Sequence, residues 1–167
     1  MIRVLIIGLG SIAKKHITAL RSLSEEFEIF ALRSSLDASK YEDVINIFNL
    51  DDTVFDFAII SNPTHLHFKY IKLFLSKSIP LFIEKPAVHS LDNLDKILNL
   101  VAKKKVTTYV ACNLRFHPCL KFLKEKIDNQ NLRINEINVY CGSHLPDWRP
   151  GLDFRNIYSA NLKMGGG

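Results

Sequence analysis

The stretch V-L-I-I-G-L-G-S-I-A, Val4 to Ala13, constrains the fold of this chain more than any other. Four apolar residues run without a polar interruption into Gly8-Leu9-Gly10. The residues that follow have helical spacing, with Ile12, Ile17, Leu20 and Leu23 on one stripe. An unbroken apolar run reads as a strand covered on both faces. A strand that passes into a helix through G-x-G-x-x-A has few structural solutions. The first glycine permits the tight turn, the second lets another group approach the backbone, and the small Ala13 lets helix and strand pack closely. The free N–H groups of the helix start then face whatever lies above the turn, and the aligned peptide dipoles suit a phosphate there. The context of strand, turn and helix favours a dinucleotide site over a plain tight turn.

The rest of the chain repeats the alternation. Ile2–Ile7, Phe27–Leu32, Phe55–Ile60, Pro80–Ile83 and Thr107–Ala111 are short runs rich in Val, Ile and Phe, and read as covered strands. Between them lie amphipathic patterns. One carries Leu66, Tyr70, Ile71, Phe74 and Leu75; another starts at Ser90 as N-cap and carries Leu91, Leu94, Ile97, Leu98 and Val101. Residues 37–52 are assigned only a short helix or loop. Such alternation predicts parallel β-α-β units with right-handed crossovers, an α/β class with an open, doubly wound sheet. After Ala111 the pattern changes to a helix over Pro118–Ile127, a strand over Glu136–Cys141 with Ile137, Val139 and Cys141 alternating, and a polar, aromatic tail. A lone strand makes no sheet. The reading is a domain over residues 1–117 and the incomplete start of a second α/β domain over 118–167.

Composition narrows the class. Of 167 residues, 47% are hydrophobic, and glycine and proline number only 7 and 6, which excludes disordered and fibrous chains. The net charge of +5 comes from scattered lysines with no interleaved stacking aromatics, so a nucleic-acid partner is not expected. Three cysteines, Cys112, Cys119 and Cys141, lack C-x-x-C spacing and predict reduced thiols in a cytoplasmic protein, with no zinc site. No apolar segment has the length of a membrane span, so no membrane partner is expected either.

Further motifs fall where strands end. Leu32-Arg33-Ser34 closes the second strand, where an acidic residue would hold the ribose hydroxyls of NAD; an arginine beside a hydroxyl suits a 2′-phosphate and favours NADP. Ser61-Asn62-Pro63 ends the third run, with Thr64 as a candidate cap. His65 and His67, two apart, diverge on a helix and make a poor metal site. Glu84 and Lys85 follow the fourth run. Two readings of them stand side by side: a structural ion pair, or a lysine that exchanges a proton.

Together, "IIGLGSIAKKH", "SNPTHLHF", "IEKPAVHSLDN" and "CNLRFHP" resemble the glucose-fructose oxidoreductase, inositol dehydrogenase and rhizopine-catabolism (Gfo/Idh/MocA) family. The resemblance extends to "SHLPDWRP" and "IYSANLKMGGG". It implies a Rossmann domain followed by an α/β domain with a large, mostly antiparallel sheet. It also implies hydride exchange between NAD(P) and a carbon of a sugar, sugar nucleotide or cyclitol. By that resemblance Gly8, Gly10, Ser11, Ile12 and Ala13 line the pyrophosphate, and Arg33 with Ser34 lies by the adenosine ribose. Ser61, Asn62, Pro63 and His67 border the nicotinamide side with Glu84 and Asn113 nearby. Lys85 is the catalytic candidate, and Arg115, His117, Trp148 and Arg149 are weaker candidates for substrate or cofactor contacts. For His117 and Trp148 a capping or core role competes.

In the family the glycine run leads into a segment whose Asp and His complete the catalytic set, and none of the six histidines here takes that place. The expectation is therefore a C-terminally truncated oxidoreductase. Loss of the histidine alone costs a factor of about 10²–10⁴ in general acid–base catalysis, so turnover should be weak or absent. The expected partners are a small-molecule substrate and a complementary C-terminal half, full-length relatives being homo-oligomers. The alternative is a non-catalytic dinucleotide-binding module, a sensor or half of a split enzyme.

Overall fold

The computed structural model describes residues 1–36, 38–50 and 53–166. Asp37, Asp51 and Asp52, which belong to the segment read as helix or loop, and the final Gly167 lie outside the described residues.

Six strands form one parallel sheet: β1 (Ile2–Ile7), β2 (Phe27–Leu32), β3 (Ile45–Ile47), β4 (Phe57–Ile60), β5 (Leu81–Ile83) and β6 (Thr108–Val110), in the order β3-β2-β1-β4-β5-β6. Every neighbouring pair is parallel, with Val4 opposite Ile29 on one side and Phe57 on the other. The chain moves outward from β1 to β3, then returns to lay β4 on the other side of β1. That reversal opens a crevice at the carboxyl ends of β1 and β4.

Both faces of the sheet are covered, which is why the strands are mainly apolar. Alternate residues of β1 point to opposite sides. Leu5 and Ile7 pack with Ile71, Phe74 and Leu75 of α2 (His67–Ser76) and Ile97 of α3 (Leu94–Lys104). Val4 and Ile6 pack with Ala13, Ile17 and Leu20 of α1 (Ser11–Arg21). Ala13 is fully buried, as the close helix–strand packing of the glycine motif requires.

Several expectations change. Residues 37–52 contain β3, which takes its register from β2. Ser90 does not cap α3: its Oγ accepts the Asp92 N–H at 3.0 Å, a turn intervenes, and the helix starts after Asn93, whose φ is +60°. Glu136–Cys141 forms no strand among the described residues, because alternation supplies a face but no ladder partner. α4 (Pro118–Asn129) does form, capped by His117 Nδ1, which accepts the Cys119 N–H at 3.3 Å. Its Leu120, Phe122 and Leu123 remain exposed. The following tail, over residues 145–166, carries four single-turn helices and folds back onto the sheet's carboxyl edge. All three cysteines are free and exposed. Among the described residues no helix is long and apolar enough to cross a membrane.

Candidate functional site

The turn after β1 is built on a steric fact. Gly8 has φ +89°, and a Cβ there would lie 2.5 Å from Asn62 Cα and 2.6 Å from its N. Ser61 adds a clasp, its Oγ donating to the carbonyls of Ile7 and Gly8 at 3.1 and 3.0 Å. Only glycine lets the loops after β1 and β4 approach this closely. Gly10 differs: no atom lies within 4 Å of a Cβ placed on it. It is the N-cap of α1 in extended conformation, with no side-chain cap and no acidic residue in the first turn. The first N–H groups of α1 therefore lack a side-chain cap, and Gly10, Ser11 and Ile12 border an open space.

That space is a cleft of about 440 Å³. One wall is Gly10, Ser11, Ile12 and Lys15; a second is Ser61, Asn62, Pro63 and Thr64; a third is Glu84 and Lys85. The tail contributes Trp148, Arg149, Tyr158 and Ser159, and His67 completes the lining. The Arg149 guanidinium donates to Ser11 Oγ at 3.2 Å, so it stands over the start of α1. Three cations thus line the cleft, and among its described lining residues Glu84 alone carries a carboxylate.

That carboxylate does not pair with Lys85, which corrects the ion-pair reading. Glu84 Oε1 lies 2.7 Å from His16 Nε2, both side chains being mostly buried, and Oε2 accepts the Lys85 backbone N–H at 3.2 Å. His16 is fixed in turn against the Phe82 ring at 5.2 Å. The Lys85 ammonium enters no ion pair with a described carboxylate. The Lys85–Pro86 bond is cis.

Two tests bear on whether a dinucleotide fits. An uncapped helix start flanked by Lys15 and Arg149 is suited to a pyrophosphate. Asn62 lines the cleft with both side-chain polar atoms buried and without a partner among the described residues. Such an amide costs about 1–3 kcal/mol if nothing satisfies it. The residues present fit the group. Among the described residues no cluster of three or more His, Cys, Asp or Glu is arranged to hold a metal ion.

The cleft unites Gly10, Ser11, Ile12, Ser61, Asn62, Pro63, His67, Glu84, Lys85, Trp148 and Arg149, all singled out in the sequence. Gly8 and Ala13 serve it from beneath. Arg33 and Ser34 lie at the carboxyl end of β2, outside its lining, with the Arg33 N–H donated to Ile47 O at 2.8 Å. Asn113, Arg115 and His117 are exposed and outside it too, His117 acting as the cap of α4. Thr64 bonds the Tyr158 hydroxyl rather than capping a helix. The sequence pattern does not single out Lys15, Tyr158 or Ser159 for the cleft, and offers Thr64 only as a cap. Lys15 could have been read from helical spacing, being four residues past Ser11 on one helix face. Tyr158 and Ser159 reach the cleft from nearly a hundred positions away, and nothing local signals it.

A model of an oxidoreductase family with an NAD-binding Rossmann fold, Gfo/Idh/MocA, matches residues 2–112, two thirds of the chain. The chain belongs to this family. An uncharacterized oxidoreductase of Bacillus subtilis, YrbE, is 29% identical over 133 residues, covering 74% of this chain and 39% of that protein. The WlbA dehydrogenase from Chromobacterium violaceum, solved with NADH and UDP-GlcNAcA, aligns at TM-score 0.69 and 22% identity, covering 77% of this chain and 40% of that one. WlbA from Thermus thermophilus, solved with NAD and UDP-GlcNAcA, gives 0.64 and 23%, covering 77% and 47%. The structural likenesses are of fold. The chain spans about two fifths to a half of the length of these proteins.

Proposed function

We propose that this chain binds NAD(P) in the cleft and serves as the cofactor-binding part of an oxidoreductase acting on a hydroxyl or keto carbon of a sugar, sugar nucleotide or cyclitol. The observation that carries this reading is the uncapped start of α1, which lines one cleft together with Lys15, Arg149 and Lys85. A bound nicotinamide supplies the hydride acceptor or donor. In this reading the first N–H groups of α1, with Arg149 and Lys15, hold the pyrophosphate. Ser61, Asn62 and Pro63 border the nicotinamide. Arg33 and Ser34 receive the adenosine ribose, and the guanidinium suits a 2′-phosphate, so NADP is preferred to NAD. Lys85, clear of any described carboxylate, hydrogen-bonds the reacting hydroxyl and moves its proton at Nζ. His16 holds the Glu84 carboxylate away from that ammonium. The sugar-nucleotide ligand of both WlbA structures supports a sugar-nucleotide substrate.

The test is titration with NADPH and NADH, followed by nicotinamide fluorescence and thermal stability, then a screen of sugars, sugar nucleotides and cyclitols for nicotinamide turnover. Saturable binding, tighter for NADPH, supports the reading; no binding of either ends it. The exposed apolar residues of α4, with Leu132, Ile134, Ile137 and Val139, favour a second reading of the same chain. There it is a binding half that pairs with a complementary polypeptide, and turnover that appears only when such a half is added distinguishes the two.

A further inference from the structure

His67, the first residue of α2, is 1% exposed and yet belongs to the cleft lining. Its ring joins two loops. Nε2 lies 2.9 Å from the carbonyl oxygen of Asn62, in the loop after β4. Nδ1 lies 3.0 and 3.2 Å from the carbonyl oxygens of Pro86 and Ala87, in the loop after β5. All three partners can only accept, so the ring serves them by donating: a neutral imidazole at one nitrogen, a protonated one at both. The first loop carries Ser61, Asn62 and Pro63, and the second carries Lys85. The ladder bond from Glu84 N to Ile60 O, 2.9 Å, ties the roots of the two loops. Beyond it, the His67 ring hydrogen-bonds both loops, while Gly165 of the tail packs between Thr64 of the first and His89 of the second.

We propose that His67 is a positioning residue that fixes the Lys85 wall against the Asn62 wall and so sets the shape of one half of the cleft. Resting on the dinucleotide reading above, that half is the nicotinamide half. The glycine turn and α1, which hold the other half, are not touched by the ring's hydrogen bonds. The clasp of Ser61 on Ile7 and Gly8 holds the turn without the ring, so loss of the imidazole should weaken the nicotinamide side more than the pyrophosphate side. A general loss of stability would weaken both parts together.

The experiment compares ADP-ribose, which lacks the nicotinamide, with NADH on the full chain. His67→Phe keeps an aromatic ring and removes both donors. Its NADH affinity should fall about tenfold or more while ADP-ribose affinity stays within about twofold of the wild type. His67→Asn retains a donor near the Nδ1 position and His67→Gln near Nε2, and each should recover part of the loss. Equal weakening of both ligands, or unchanged NADH binding, overturns the proposal. A second measurement needs no ligand. Amide hydrogen exchange in His67→Phe should quicken in residues 61–66 and 84–89 and stay unchanged in β1 and β2. Unaltered exchange in those loops overturns the proposal as well. A wild-type chain that binds neither ligand sinks the dinucleotide reading alone, and the exchange result still decides the role of the ring.

Discussion

Replacing each of the two glycines of the turn by alanine should have opposite consequences. At Gly8 the new Cβ meets the Asn62 backbone at 2.5–2.6 Å and the residue sits at φ +89°. The left-handed backbone costs about 1–2 kcal/mol for an L-residue. The overpacking, against backbone that cannot swing aside, adds about 1–3 kcal/mol. Gly8→Ala should therefore lose about 2–5 kcal/mol, a drop in Tm of about 4–20 °C for a domain of this size. At Gly10 the methyl meets nothing within 4 Å and φ is −90°. The cost is the poorer N-cap, about 0.5–1 kcal/mol, and Tm should move only about 1–4 °C. That methyl occupies the approach to the start of α1, so NADPH and NADH should bind Gly10→Ala about tenfold or more weakly. Thermal unfolding by circular dichroism gives the first number and fluorescence titration the second. A Gly8→Ala chain as stable as wild type, or a Gly10→Ala chain that binds as well as wild type, would refute the steric argument.

Arg149→Ala removes an exposed cation from above α1; dinucleotide affinity should fall about 3- to 30-fold and become less sensitive to salt, with Tm nearly unchanged, as titrations at two ionic strengths would reveal. Arg33→Asp should shift the NADPH-to-NADH affinity ratio toward NADH by about tenfold, measured by paired titrations. His16→Ala leaves the mostly buried Glu84 carboxylate without its partner and removes a ring from Phe82, so chemical denaturation should show a loss of about 1–3 kcal/mol. Phe74→Ala, at 1% exposure between α2 and the sheet, should cost about 3–5 kcal/mol in the same assay.

The parts of this fold that were legible in the sequence are those fixed by local pattern. β1 and β2 have the bounds of their apolar runs, Ile2–Ile7 and Phe27–Leu32, because burial on both faces leaves no other use for such runs. β3 was hidden since Ile45–Ile47 is a strand by virtue of its neighbour β2, in a short apolar patch flanked by charged residues. The reverse holds for Glu136–Cys141, which has the alternation and lacks the neighbour. Ser90 has the side chain of a cap, but its hydroxyl serves Asp92 instead, and the helix begins at Leu94. In the cleft, the residues next to strand ends were legible because a strand's carboxyl edge is where a parallel sheet presents its loops. The pairing of Glu84 with His16 was not, for the two lie 68 positions apart and meet only when α1 packs beside β5.

The central claim, that the cleft over Gly10 holds a dinucleotide, is tested most directly by a crystal structure of this chain grown with NADPH. The pyrophosphate should lie over Gly10, Ser11 and Ile12 with Arg149 beside it, the 2′-phosphate at Arg33, and the nicotinamide between Asn62 and Lys85. A dinucleotide bound elsewhere on the chain, or a cleft without one at saturating concentration, would contradict it.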